Sequence, residues 1–117
     1  MPYRVAVYGT LKRGGSNSGL LKGARYIGED WLTDLTLYDL GTYPGALIEP
    51  SAGVKVEVFE VNDQGLEQLD RLEDFYPDAP GESLYLRQQM ATRHGSAWVY
   101  IYNRPVANHR RLVSGNW

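Results

Sequence analysis

The sequence predicts a mixed α/β (α+β) fold: a curled, mostly antiparallel β-sheet or barrel flanked by short helices. Three observations point to it. Val54–Val61 alternates, with Val54, Val56 and Val58 on one side and Lys55, Glu57 and Phe59 on the other. Leu84–Thr92 and Ala97–Tyr102 read as a hairpin around Arg93-His94-Gly95-Ser96. One stretch, after Asn62, carries a strong helical period.

Taken in order, Tyr3–Tyr8 is apolar, β-branched and aromatic, so it predicts a buried first strand ending at Gly9. Thr10–Gly15 reads as a loop, with Gly14 and Gly15 freeing the backbone. Ser16 or Asn17 is placed to cap a short helix over Gly19–Lys22. Arg25–Thr33 and Thr36–Leu40 have strand composition, and Gly41–Gly45 reads as a turn or loop. Asn62 is a suitable N-cap for a helix from Asp63 to about Asp74. Tyr76–Ser83 holds two prolines and a glycine and reads as a loop. The segment after Pro105 is polar. No internal repeat or low-complexity stretch interrupts this order.

A chain of 117 residues suits one domain, 1–117. Its 43% hydrophobic and 22% charged residues supply a core and an ordinary soluble surface. A net charge of −2 argues against a nucleic-acid partner, which would call for a basic patch. With no cysteine, thiol catalysis, disulfides and thiolate zinc sites are excluded. His94 and His109 fall on expected loops without partners at helical spacing, so no metal site is expected. The N-terminus lacks a signal-peptide pattern, and no apolar stretch nears the roughly 20 residues of a membrane span. A cytoplasmic protein with no membrane partner is expected.

Two features carry candidate chemistry. Leu66, Leu69 and Glu73 share one face of the helix after Asn62, and Leu72 widens the apolar stripe. Glu67, Asp70, Arg71 and Asp74 fall on the side expected to be solvated. Glu73 is thus expected to point inward among leucines. Lost hydration raises the proton affinity of a carboxylate and suits it to general acid/base work near neutral pH. A helix-end glutamate is more often solvated, and a shift of the helix boundary would turn Glu73 outward.

The second feature is the glycine-led turn Gly9-Thr10-Leu11 directly after a strand. Successive backbone N–H groups there can cradle a carboxylate or oxyanion. An ordinary strand-to-loop turn has the same composition, and the spacing of glycine and lysine rules out a phosphate loop.

Tyr8-Gly9-Thr10-Leu11-Lys12, followed in order by Gly41–Gly45, Glu57-Val58-Phe59, Leu69–Glu73, Tyr85-Leu86-Arg87, Trp98–Tyr102 and Ser114–Trp117, resembles the γ-glutamylcyclotransferase-like superfamily, in particular its small bacterial branch. The resemblance spans nearly the whole chain. It implies a compact barrel flanked by helices, with a cavity beside the Tyr-Gly-Thr-Leu loop. It assigns the acid/base role to Glu73 and the head-group pocket to Tyr8, Gly9, Thr10 and Leu11, and it makes Tyr85 a pocket tyrosine. One departure stands out: Val56 occupies a position where the family pattern has glycine.

The reaction the resemblance implies needs no cofactor. The α-amine of a γ-glutamyl group attacks its own side-chain carbonyl, giving 5-oxoproline and a free amine. Glu73 takes the proton of the α-ammonium and returns one to the leaving amine. The partner is a small-molecule γ-glutamyl substrate, and the protein is expected to be a monomer or weak homodimer. A non-catalytic module that binds a small carboxylate or γ-glutamyl compound in the same pocket is the alternative. Among other carboxylates, Glu82 is expected to be solvated in its Pro/Gly loop and Glu57 to be structural. Arg87 is expected either to pair with a carboxylate or to lie on the surface. Trp98, Tyr100 and Tyr102 are expected in or beside the core.

Overall fold

The structure is a computed structural model describing residues 2–117. Eight strands alternate with one α-helix: β1 Tyr3–Val7, β2 Arg25–Leu32, β3 Thr36–Asp39, β4 Pro44–Leu47, β5 Val54–Val61, α1 Asp63–Leu72, β6 Tyr85–Thr92, β7 Gly95–Tyr102 and β8 Arg110–Arg111. Single 3₁₀ turns lie at Ser18–Leu21 and Pro80–Glu82. One sheet has the order β2-β5-β1-β7-β6 and a smaller one the order β4-β3-β8. All pairings are antiparallel except β1 with β7. No helix among the described residues is long and apolar enough to cross a membrane.

The central strands of the large sheet are buried on both faces, and their side chains sort with a period of two. Ala6 and Tyr8, Val54, Val56 and Val58, and Ala97 and Val99 pack against Leu37 and Ala46 of the small sheet and Leu35 just before it. Val5 and Val7, Phe59 and Val61, and Tyr100 pack on the other face against Leu66 and Leu69 of α1 and against Leu21. The alternation predicted for β5 is therefore present, but its second face is buried too: Glu57 is 6% exposed and Phe59 4%. Val56 lies in the first of these clusters, away from the α1 face, and packs as an ordinary core residue.

The sheet curls without closing into the predicted barrel. Edge strands β2 and β6 do not pair with each other. The tip of the β6–β7 hairpin reaches across to β2 instead. Arg93 N–H donates to Asp30 Oδ2 at 3.0 Å, His94 Nε2 lies 2.9 Å from the Glu29 carbonyl, and Arg4 Nη1 donates to the His94 carbonyl. The bulge between Tyr26 and Gly28 makes this approach feasible, since a Cβ on Gly28 would sit 2.6 Å from the His94 ring. Between the two sheets, phenols stand in for ladder bonds. Tyr8 Oη donates to the Tyr100 carbonyl at 2.6 Å and accepts from Ala46 N–H at 3.2 Å. Tyr85 Oη donates to the Pro44 carbonyl at 2.7 Å.

Several local expectations are corrected. Pro44 and Gly45, read as part of a turn, open β4; the turn proper is closed by Leu40 N–H on the Tyr43 carbonyl. The segment Ser18–Leu21 is a 3₁₀ turn, and the Asn17 side chain makes no cap to it. The helix ends at Leu72, with Glu73 as its C-cap, rather than at Asp74. Leu72 is 37% exposed instead of completing the apolar stripe. Asn62 does cap α1, accepting from Gly65 N–H at 2.8 Å.

Candidate active site

β1 ends against β4, and the space between that junction and the end of α1 forms a cavity of about 200 Å³. It is lined by Tyr8, Gly9, Thr10, Leu11, Glu73 and Tyr85, so it gathers every site residue named from the sequence. Tyr43, Pro44, Leu84, Tyr100, Asn17, Leu72 and Asp74 complete most of the wall. Of these, Tyr43 and Pro44 were expected mainly as turn residues and Tyr100 as a core residue. Asn17, Leu72, Leu84 and Asp74 gave no sequence signal of lining a site.

The loop is shaped by tight approaches. A Cβ on Gly9 would fall 2.7 Å from Pro44 Cγ, so only glycine lets the chain pass this close to β4. Lys12 N–H closes the turn on the Gly9 carbonyl at 3.1 Å. Asn17 holds the loop from the far side: its N–H donates to the Thr10 carbonyl and its Nδ2 to Thr10 Oγ1, each at 2.9 Å. Lys12 turns away from the cavity and donates to Asn116 Oδ1 at 2.5 Å and to the Trp117 carbonyl at 3.3 Å. The N–H groups of Gly9, Thr10 and Leu11 have no acceptor among the described residues. Three successive free donors on a cavity wall form a place where a carboxylate or oxyanion can sit.

On the opposite wall, the end of α1 presents Glu73. Leu69 is fully buried beneath it, and Glu73 itself is half-buried. Its carboxyl has no ion-pair or side-chain hydrogen-bond partner among the described residues. Burial, with a smaller contribution from the Asp74 charge, pushes it up from 4.5 to about 7. Near neutral pH it is therefore divided between a proton acceptor and a proton donor.

The phenols around it are committed elsewhere. Burial raises the Tyr8, Tyr85 and Tyr100 hydroxyls, which keeps them protonated at neutral pH. Tyr8 donates to the Tyr100 carbonyl, Tyr85 to the Pro44 carbonyl, and Tyr100 to Asp70 Oδ1 at 2.7 Å. Asp70 was expected on the solvated side of α1. Its side chain is instead 14% exposed, with Arg87 Nε 2.9 Å from Oδ1 and Arg87 Nη2 donating to Oδ2 at 3.2 Å. The guanidinium lies over the Trp98 ring at 4.5 Å and the Phe75 ring at 5.0 Å. The helical wheel misplaces Asp70 because Arg87 of β6 and Tyr100 of β7 reach its carboxyl from the large sheet. Glu57 is structural, accepting from Arg13 N–H at 2.8 Å, and Glu82 is exposed.

Solved structures with this arrangement define a class. The chain superposes on Escherichia coli protein YtfP with a TM-score of 0.76 at 35% identity, covering 97% of this chain and 95% of that one. It superposes on PH0828 of Pyrococcus horikoshii with a TM-score of 0.79 at 31% identity, covering 97% and 88%. The fold is thus the γ-glutamylcyclotransferase-like one.

In sequence, a relative from Vibrio cholerae, provisionally named a γ-glutamylcyclotransferase, is 41% identical over 118 residues, covering all of this chain and 96% of that protein. A γ-glutamyl cyclotransferase from Niallia circulans, named for γ-L-glutamyl-butirosin B, is 31% identical over 103 residues, covering 84% of this chain and 65% of its own length. The chain belongs to the γ-glutamyl cyclotransferase, AIG2-like family, whose profile matches residues 5–117.

Proposed function

We propose that the cavity cyclises a γ-glutamyl amine or peptide to 5-oxoproline and releases the amine, with Glu73 as the general acid/base. The observation that carries this reading is the Glu73 carboxyl: desolvated, without a partner, and across a small cavity from the three free N–H groups of Gly9, Thr10 and Leu11. The family and the named reaction of the Niallia circulans relative support it.

The chemistry follows from the groups present. A free α-amine carries a proton at pH 7, since its ordinary pKa is about 8, and an ammonium cannot attack. Ionised Glu73 accepts that proton. The amine nitrogen then bonds to the γ-carbonyl carbon, and the negative charge moves to the carbonyl oxygen. Backbone N–H groups of the loop stabilise that charge or hold the α-carboxylate. The oxyanion then re-forms the carbonyl as the bond to the leaving nitrogen breaks and Glu73–H gives its proton to that nitrogen. The second proton of the attacking nitrogen, which the lactam does not keep, leaves with the released amine as its ammonium. Both reacting groups belong to one molecule, so the walls formed by Tyr8, Tyr85 and Tyr43 need only keep the glutamyl chain folded back on itself. The Tyr85 oxygen, already a donor to Pro44, offers lone pairs to an ammonium rather than a proton to an oxyanion.

The test is 5-oxoproline release from a panel of γ-glutamyl amines and peptides. Wild-type protein is expected to turn over at least one of them. Glu73→Gln is expected to lower turnover by roughly 10²–10⁴-fold, the usual share of acid/base catalysis. Glu82→Gln is expected to leave it unchanged. Normal turnover by Glu73→Gln would remove the acid/base role. Binding of 5-oxoproline by a wild type without turnover on any substrate would favour a non-catalytic binding module.

A further inference from the structure

The end of α1 holds a conflict between local stability and the cavity. The helix closes with a Schellman motif: Asp74 N–H bonds the Arg71 carbonyl at 3.2 Å and Phe75 N–H bonds the Asp70 carbonyl at 2.9 Å. That motif needs a left-handed residue one place beyond the C-cap, a position glycine usually fills. Asp74 fills it here, at φ 51°, and is the one non-glycine residue with positive φ among those described. A residue held in a sparsely populated backbone region beside a cavity invites a functional explanation.

The cavity supplies one. Glu73 and Asp74 are the two carboxyls in its wall, and no lysine, arginine or histidine lines it. The groups facing Glu73 from the packed elements are Tyr8 at the end of β1, Tyr43 before β4, Tyr85 on β6 and Tyr100 on β7. The hydroxyls of Tyr8, Tyr85 and Tyr100 donate to protein acceptors, so none of the three gives Glu73 a hydrogen bond that would stabilise its anion. The Arg87 guanidinium is taken by Asp70, and the Lys12 ammonium by Asn116 and the Trp117 carbonyl. Asp74 is exposed at the rim, where its Oδ1 accepts from the Tyr76 hydroxyl at 3.3 Å.

Resting on the reading of Glu73 as the acid/base, we propose that Asp74 is a positioning residue: it occupies the left-handed turn at the end of α1 in place of glycine so that a second carboxylate stands beside Glu73 at the mouth of a cavity that no lysine, arginine or histidine lines. Burial remains the larger influence on Glu73 and the Asp74 charge the smaller. The residue thus trades some stability of the helix end for control over its neighbour's proton.

Two variants separate the charge from the backbone. Asp74→Asn keeps a side chain that tolerates the left-handed region but removes the charge, and Asp74→Gly removes both charge and strain. The readout is the NMR titration of the Glu73 side-chain carboxyl carbon in the full chain, which reports the proton whether or not the protein turns over substrate. Both variants are expected to move the Glu73 midpoint down by on the order of half a pH unit. Asp74→Gly is also expected to unfold at a higher urea concentration than wild type. An unmoved midpoint in both variants overturns the proposal, and so does a shift in Asp74→Gly alone, which would leave only a backbone role. Failure of the 5-oxoproline assay would not alter this titration, so the two readings fail separately.

Discussion

Asp70 and Glu73 sit three residues apart at the end of α1, and each is drawn in among tyrosines, yet their surroundings differ. Asp70 accepts the Tyr100 hydroxyl and faces the Arg87 guanidinium, itself stacked between Phe75 and Trp98. Glu73 has no cation and no hydrogen-bond donor among the described residues, and burial lifts it to about 7. Glu57, on β5, resembles Asp70: it is buried, with Arg13 supplying both a backbone N–H and a guanidinium 3.5 Å away. Burial alone therefore does not set the role of a carboxyl in this protein. Burial with a matched arginine gives a fixed strut; burial without one gives a group that exchanges its proton near neutral pH.

The comparison can be broken most severely at Asp70. Asp70→Asn keeps an acceptor for Tyr100 but leaves the Arg87 cation, whose side chain is 15% exposed, without its anion. Removing one partner of a buried pair is expected to cost about 3 kcal/mol, read from urea unfolding at pH 7.

Glu73→Gln should act in the opposite direction on the same measurement. Its folded value of about 7 lies above its ordinary 4.5, so the folded chain holds a proton that the unfolded chain has released across that window. Wild-type stability therefore falls as pH rises from about 4.5 to about 7 and levels off above. The Gln variant escapes this loss. Its stability should match wild type near pH 4 and exceed it by about 3 kcal/mol at pH 8.

Arg87→Lys sharpens the comparison with the smallest change. The charge facing Asp70 is kept, but the planar fork and its stacking on Trp98 and Phe75 are lost. A loss of about 1 kcal/mol is expected. A much larger loss would show that geometry, rather than charge balance, holds the Asp70 corner.

These differences explain what could be read from the chain beforehand. The alternation of β5, the Asn62 cap and the Leu66–Leu69–Glu73 face each depend on neighbours a few residues away, so the sequence displays them directly. The inward placement of Glu73 was legible for the same reason. The role of Asp70 was not, because its partners lie on β6 and β7, and a helical wheel sees only one packing direction. The β4 strand was hidden by Pro44 and Gly45, which look like turn residues. In the structure the Pro44 ring packs within 2.8 Å of where a Gly9 side chain would begin, and a Cβ on Gly45 would meet Tyr102 at 3.0 Å. Nor does the sequence reveal the open sheet, since closure depends on whether β2 and β6 meet, and a bulge at Gly28 lets a hairpin tip reach β2 instead.

The Lys12 contacts have a bearing on how the chain is made. The cradle at residues 9–11 leaves the ribosome well before the groups that tether its next residue, Asn116 and Trp117, which lie 104 and 105 residues beyond Lys12. The strand leading into it, β1, waits for β5 on one side and β7 on the other. The pocket can therefore take its final shape only after residues 116 and 117 have been added. Such long-range pairing also slows folding relative to a helical protein of equal length.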